Sequence, residues 1–100
     1  MNEEVASRYI GLAIRSGEVV FGLDKMKEKP NLVKLIICCL SASSNLFASL
    51  NNLSTKYNIP IYQLKNFTIN ELIKTENCKA IGITNPNLAK QIKLVLEREQ

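Results

Sequence analysis

The chain has 100 residues, 46% of them hydrophobic, with a formal net charge of +4 and a pI of about 9.1. That is enough apolar content for one core and a single domain over residues 1–100, and the charge permits a nucleic-acid partner without demanding one. There is no histidine, so the commonest general base and metal ligand is missing, and the three cysteines lack CxxC spacing; no catalytic, metal or cofactor site is expected.

The opening MNEEVASRY is acidic and has no apolar signal region, and the longest apolar run, Leu35 to Leu40, is too short to span a bilayer. A cytoplasmic protein with no membrane partner is the expectation. Val5, Tyr9, Leu12 and Ala13 recur at helical spacing, and Ala6, Ile10 and Ile14 widen that face, which predicts a helix over Glu3 to Arg15. Gly17 suits the left-handed residue that closes a helix. A short strand, Glu18 to Phe21, follows. Gly22 permits a tight turn into a helix over Leu23 to Lys29, and Pro30 prevents a clean continuation.

Val33 to Leu40 is apolar apart from Lys34, with β-branched Val33, Ile36 and Ile37, which predicts a strand buried on both faces. Cys38 and Cys39 are adjacent, so a strand points them to opposite faces; buried, reduced thiols are expected rather than a disulfide framework. SASSN is a turn cluster rich in helix caps. The next helix, Ser44 to Tyr57, is expected to bury Leu46, Leu50, Leu53 and Tyr57 with Phe47 beside them. NIPIYQL reads as a short strand starting near Pro60. TINE, Thr68 to Glu71, has capping-box form and opens a short helix to about Lys74. CKAIGIT is the last strand. Asn85 caps the final helix with Pro86 in its first position, and that helix buries Leu88, Ile92 and Val95 or Leu96. Helices alternating with short strands predict an α/β chain: a three-layer α/β/α sandwich around a small mixed central sheet.

The charge is unevenly spread. Residues 35–70 hold Lys56 and Lys65 and no acid, while residues 1–34 hold six basic and five acidic side chains. A basic face has to be assembled in three dimensions. The stretch SGEVVFGLDKMKEKP is the clearest candidate contributor. A helix start offers free N–H groups and partial positive charge to a phosphate, Gly22 lets a backbone approach, and Lys25, Lys27, Lys29 and Lys34 extend the patch. Ser16 and Asp24 have the polar atoms to read bases or 2′-hydroxyls. The competing reading is a solvated surface helix with alternating charges, Lys25 facing Glu28. Tyr9, Tyr57 and Tyr62 have rings that stack on bases, but apolar helix faces favour packing for two of them. Ser41, Ser43 and Ser44 have no histidine partner and no Gly-x-Ser-x-Gly frame, so they are read as caps.

Four blocks in this order carry a family resemblance: IGLAIRSGEVVFG, KLIICCLSASSN, LSTKYNIPIYQL and IGITNPNLAKQI. Together they run nearly end to end, and the chain resembles the YlxQ-like bacterial proteins of the ribosomal L-seven-Ae/L-thirty-e family, whose better-known members bind kink-turn RNA. The resemblance implies a non-catalytic, monomeric RNA-binding module for structured RNA, a kink-turn or ribosomal RNA, with ribosome-associated proteins as further partners. It also implies a site built from Arg15, Ser16, Gly22, Leu23, Asp24, Lys25, Lys27 and Lys34, with Lys74, Thr75 and Asn77 in a loop beside the second helix. Kink-turn binders of the family read Gly-x-Asn-Glu-x-x-Lys at that helix. Here Gly22 is kept, but Asp24, Lys25 and Glu28 stand where the amide, the acid and the lysine belong, which predicts weak binding to a standard kink-turn. The alternative is a protein-interaction module of the same fold that has lost RNA binding.

Overall fold

The computed structural model describes residues 2–39, 42–64 and 79–97. Helix α1 (Asn2–Arg15) leads to strand β1 (Val19–Phe21) and helix α2 (Leu23–Glu28). A 3-10 turn at Pro30–Leu32 precedes β2 (Leu35–Cys39), α3 (Ser44–Tyr57) and β3 (Ile61–Leu64), and β4 (Ala80–Ile83) and α4 (Pro86–Glu97) follow. The strands form one four-stranded sheet in the order β1-β4-β2-β3. β2 runs parallel to β3 and antiparallel to β4, and β4 runs antiparallel to β1, so the sheet is mixed. The TINE segment and Cys78 lie outside the described residues. Among the described residues no helix is long and apolar enough to cross a membrane.

The helix ends follow from the residues that make them. Gly17 has φ 74°, and its N–H donates to Ile14 O (3.1 Å) while the Glu18 N–H donates to Ala13 O (2.9 Å). That pair of bonds is the Schellman closure of α1. Ser43 Oγ accepts from the Leu46 N–H (3.1 Å) and starts α3, and left-handed Asn58 ends it. Asn85 Oδ1 accepts from the N–H groups of Asn87 and Leu88, so α4 begins where the Asn-Pro signal placed it.

Helices cover both faces of the sheet, giving the three-layer α/β/α arrangement. Ala6, Ile10 and Ala13 of α1 and Ala89, Ile92 and Leu96 of α4 pack on Leu35, Ile37, Cys39, Leu64, Ile81 and Ile83. On the other face Met26 of α2 and Leu50 and Leu53 of α3 pack on Ile36, Cys38 and Ala80. All five β2 residues are therefore buried, and the two neighbouring cysteines enter opposite cores. Cys38 Sγ lies 3.7 Å from Tyr62 O. Burial, and secondarily the neighbouring Cys39, pushes the Cys38 thiol up to about 11.

Two expected faces are corrected. In α1 the buried stripe is Ala6, Ile10 and Ala13, with Tyr9 and Ile14 half-buried, while Val5 and Leu12 are exposed, Leu12 at 47%. The helix is apolar over much of its girth, and the small alanines belong where it packs closely against the sheet and α4. In α3 Leu50 and Leu53 are buried, but Phe47 and Tyr57 are exposed, Tyr57 at 39%. Tyr57 instead borders an open groove between α3 and Lys27 of α2.

Candidate nucleic-acid interface

The turn from β1 into α2 rests on one backbone conformation. Gly22 donates its N–H to Ala80 O (3.0 Å) and then adopts φ 85° and ψ 158°. Glycine alone enters that region at ease. A Cβ at this position would meet nothing within 4 Å, so the glycine is required by the chain's path and not by crowding. Among the described residues the surface above it is open. No described side chain caps the N-terminus of α2.

Helix α2 is seated through few side chains. Met26 is fully buried and Leu23 half-buried, while Asp24, Lys25, Lys27 and Glu28 are exposed. Met26 lies over Gly82 of β4, where a Cβ would come within 2.9 Å of Val33 Cγ1 and 3.0 Å of Met26 Sδ. Gly82 is thus the socket that lets α2 approach the sheet. The sequence reading gave it no role, although a lone glycine inside a strand pattern is the signal for close backbone approach.

The lysines of α2 do not act as one row. Successive residues turn about 100°, so Lys25 and Lys29 share a flank and Lys27 takes the other. Lys25, Glu28 and Lys29 line a groove of about 430 Å³ against Val19, Val20 and Phe21 of β1. Lys27 lines a groove of about 340 Å³ against Ser49, Asn52, Leu53, Lys56 and Tyr57 of α3. Lys25 and Glu28 form no ion pair among the described residues; the ion pairs there are Arg8–Glu4 and Lys93–Glu97, each 3.9 Å, both outside the α2–α3 layer.

The remaining site residues divide between the two ends of the sheet. The Gly22 N–H bonds Ala80 O and the Cys39 N–H bonds Lys79 O (3.0 Å), which puts Gly22, Leu23, Asp24 and Lys25 at the end where β2 finishes and β4 starts. Lys74, Thr75 and Asn77 lie outside the described residues, and the chain re-enters at this end. Arg15, Ser16 and Lys34 are at the opposite end: the Lys34 N–H bonds Ile83 O (2.7 Å), and the Thr84 N–H bonds Glu18 O (3.0 Å). Ser16 Oγ donates to Ala13 O (3.2 Å) and Lys34 Nζ to Asn31 O (3.3 Å). These three are not brought together with Gly22.

The tyrosines separate as well. Tyr9 packs half-buried on the core. Tyr62 is half-buried, and its hydroxyl donates to the Glu97 carboxylate (2.7 Å). Partial burial first, and Glu97 second, raise its hydroxyl to about 12. Tyr57 is open to solvent with Lys56 Nζ 5.4 Å from its ring centroid, a cation–π distance.

No family model matches the chain, and no curated protein matches it. Among solved structures, a protein of unknown function from Bacillus halodurans is similar, with a TM-score of 0.83 at 18% identity over 92% of this chain and 96% of that one. At that identity the likeness shows the α/β fold alone.

Proposed function

We propose that this protein is a non-catalytic, cytoplasmic RNA-binding module that engages structured RNA through the α2–α3 layer, in the manner of the ribosomal-protein-like family its sequence resembles. The observation that carries the reading is the difference in charge between the two helix layers. The α2–α3 layer with its turns holds Lys25, Lys27, Lys29, Lys34 and Lys56 against Asp24 and Glu28. The α1–α4 layer and its turns hold Arg8, Arg15, Lys90 and Lys93 against Glu3, Glu4, Glu18 and Glu97. Among the described residues the positive excess sits on one side and the ion pairs sit on the other. Unpaired lysines on an open surface are what phosphate contact requires.

Lysine at position 25 supplies donors and no acceptor, so it suits a phosphate and not the donor edge of a base. Asp24, exposed beside it, is an acceptor at this end of the sheet. The test is titration of a structured RNA at two salt concentrations. With about three or four phosphate contacts, the log–log slope of affinity against salt is about −2 to −4. Absence of binding at low salt would overturn the reading in favour of a protein partner, for which Phe21, exposed at 44% on the β1 edge, is the observation in hand.

A further inference from the structure

We infer that the surface around Tyr57 is the part of the α2–α3 RNA face that takes an unpaired strand, with a base stacked on the Tyr57 ring. The inference rests on the RNA-binding reading above, but it concerns the end of the sheet away from Gly22.

Tyr57 ends α3 and borders two adjoining depressions. One, of about 340 Å³, is flanked by Lys27 and Lys56 with Ser49 and Asn52 in its wall. The other, of about 220 Å³, is flanked by Lys34 with Asn31 and Asn58 in its wall. The ring therefore stands in the middle of a trough with ammonium groups on both sides. Among the described residues no carboxylate lines either depression. The charge is also unspent, because none of these three lysines is in an ion pair among the described residues.

The combination selects a ligand class. Phosphates suit the lysines, and an aromatic ring open to solvent suits a base, since every base has a π-face. The amides and the hydroxyl both donate and accept, so they can meet whichever base edge is presented. A continuous duplex hides its base faces in the stack and would use only the lysines; a loop, bulge or single strand uses the ring as well. An open trough extending on both sides of the ring fits a strand passing across it rather than an enclosed mononucleotide. Lys56 Nζ stands 5.4 Å from the ring centroid, so a base stacks on the opposite face of the ring or displaces the lysine.

The test uses fluorescein-labelled oligouridine and oligoadenine ten-mers, with a blunt RNA duplex as control, by fluorescence anisotropy at fixed salt. We expect Tyr57→Ala to weaken single-strand binding about tenfold, the effect of losing one stacked base, and to leave duplex binding within twofold. Tyr57→Phe should bind single strands like the wild type. Lys27→Gln with Lys56→Gln should flatten the single-strand salt slope by about 2. Thermal melts check that each variant is folded. Single-strand affinity unchanged by Tyr57→Ala, or lowered equally with the duplex, would overturn the inference while leaving the RNA-binding reading intact. Failure of both RNAs to bind the wild type would overturn both, and competition by polyglutamate as effective as by oligouridine would reduce the trough to general anion attraction and overturn the inference.

Discussion

The side-chain amide of Asn85 donates a hydrogen bond to the carboxylate of Glu18, while its Oδ1 accepts from the N–H groups of Asn87 (2.8 Å) and Leu88 (3.0 Å). One side chain thus starts α4 and fastens that start to the residue on which α1 closes. The Thr84 N–H to Glu18 O bond (3.0 Å) runs beside it. We expect Asn85→Ala to cost about 1 kcal/mol for the cap alone, and more once the bond to Glu18 is counted. Asn85→Asp keeps the acceptor for the cap, loses the donor, and sets two carboxylates side by side; urea unfolding should find it less stable than wild type.

Gly82 has no room for a methyl group. Gly82→Ala should destabilise the protein by about 1–3 kcal/mol through overpacking, because its Cβ would fall 2.9 Å from Val33 Cγ1. In a double-mutant cycle Val33→Ala should recover part of that loss. Additive costs would show that the clash with Val33 is not the cause.

Gly22 is strained for any other residue although it is uncrowded. Gly22→Val should cost on the order of 1–3 kcal/mol from backbone conformation and should weaken structured-RNA binding. Unchanged affinity in a folded Gly22→Val protein would remove Gly22 from the interface.

Lys25→Glu separates readout of a kink-turn from general attraction. The wild type should bind a standard kink-turn weakly, and Lys25→Glu should improve kink-turn binding relative to a control duplex at equal salt, by an acceptor contact of ~1–3 kcal/mol. Tight wild-type binding abolished by Lys25→Glu would mean that Lys25 itself makes the contact.

Alkaline titration should report Tyr62. Its hydroxyl rises in the fold from its ordinary 10.0 to about 12. The folded state thus holds the proton more tightly than the unfolded chain, so this contribution is complete below pH 10 and is lost as pH climbs toward 12. Tyr62→Phe should be measurably less pH-sensitive across that window. Cys38, raised from 9.0 to about 11, loses its contribution in the same direction at somewhat lower pH.

Much of the architecture could be read from local chemistry. Gly17, the Ser43 and Asn85 caps, and the continuous apolar run of β2 each announce themselves through short-range rules, and α3 spans Ser44–Tyr57 as its periodicity indicates. The choice between interleaved stripes on α1 was not legible, because Val5 and Leu12 fit a 3.6-residue period as well as Ile10 does. Close packing against α4 and the sheet decides it. Tyr57 fits the apolar face of α3, yet it borders an open groove shared with Lys27, which no helical period reveals. The divergence of Lys25 and Lys27 follows from helix geometry, and the separation of Arg15 and Ser16 from Gly22 follows from β1 running between them, whereas the placing of Lys34 at the Arg15 end depends on the pairing of β2 with β4, which no local pattern encodes.

The seating of α2 on Gly82 makes its outer surface replaceable. Leu23 and Met26 hold the helix, and the four exposed positions, Asp24, Lys25, Lys27 and Glu28, touch little of the core. Exposed substitutions of this kind usually shift stability by no more than about 0.5 kcal/mol. Selection, or a combinatorial library, can therefore rewrite these four letters on either side of Met26 and change the partner while the scaffold stays the same.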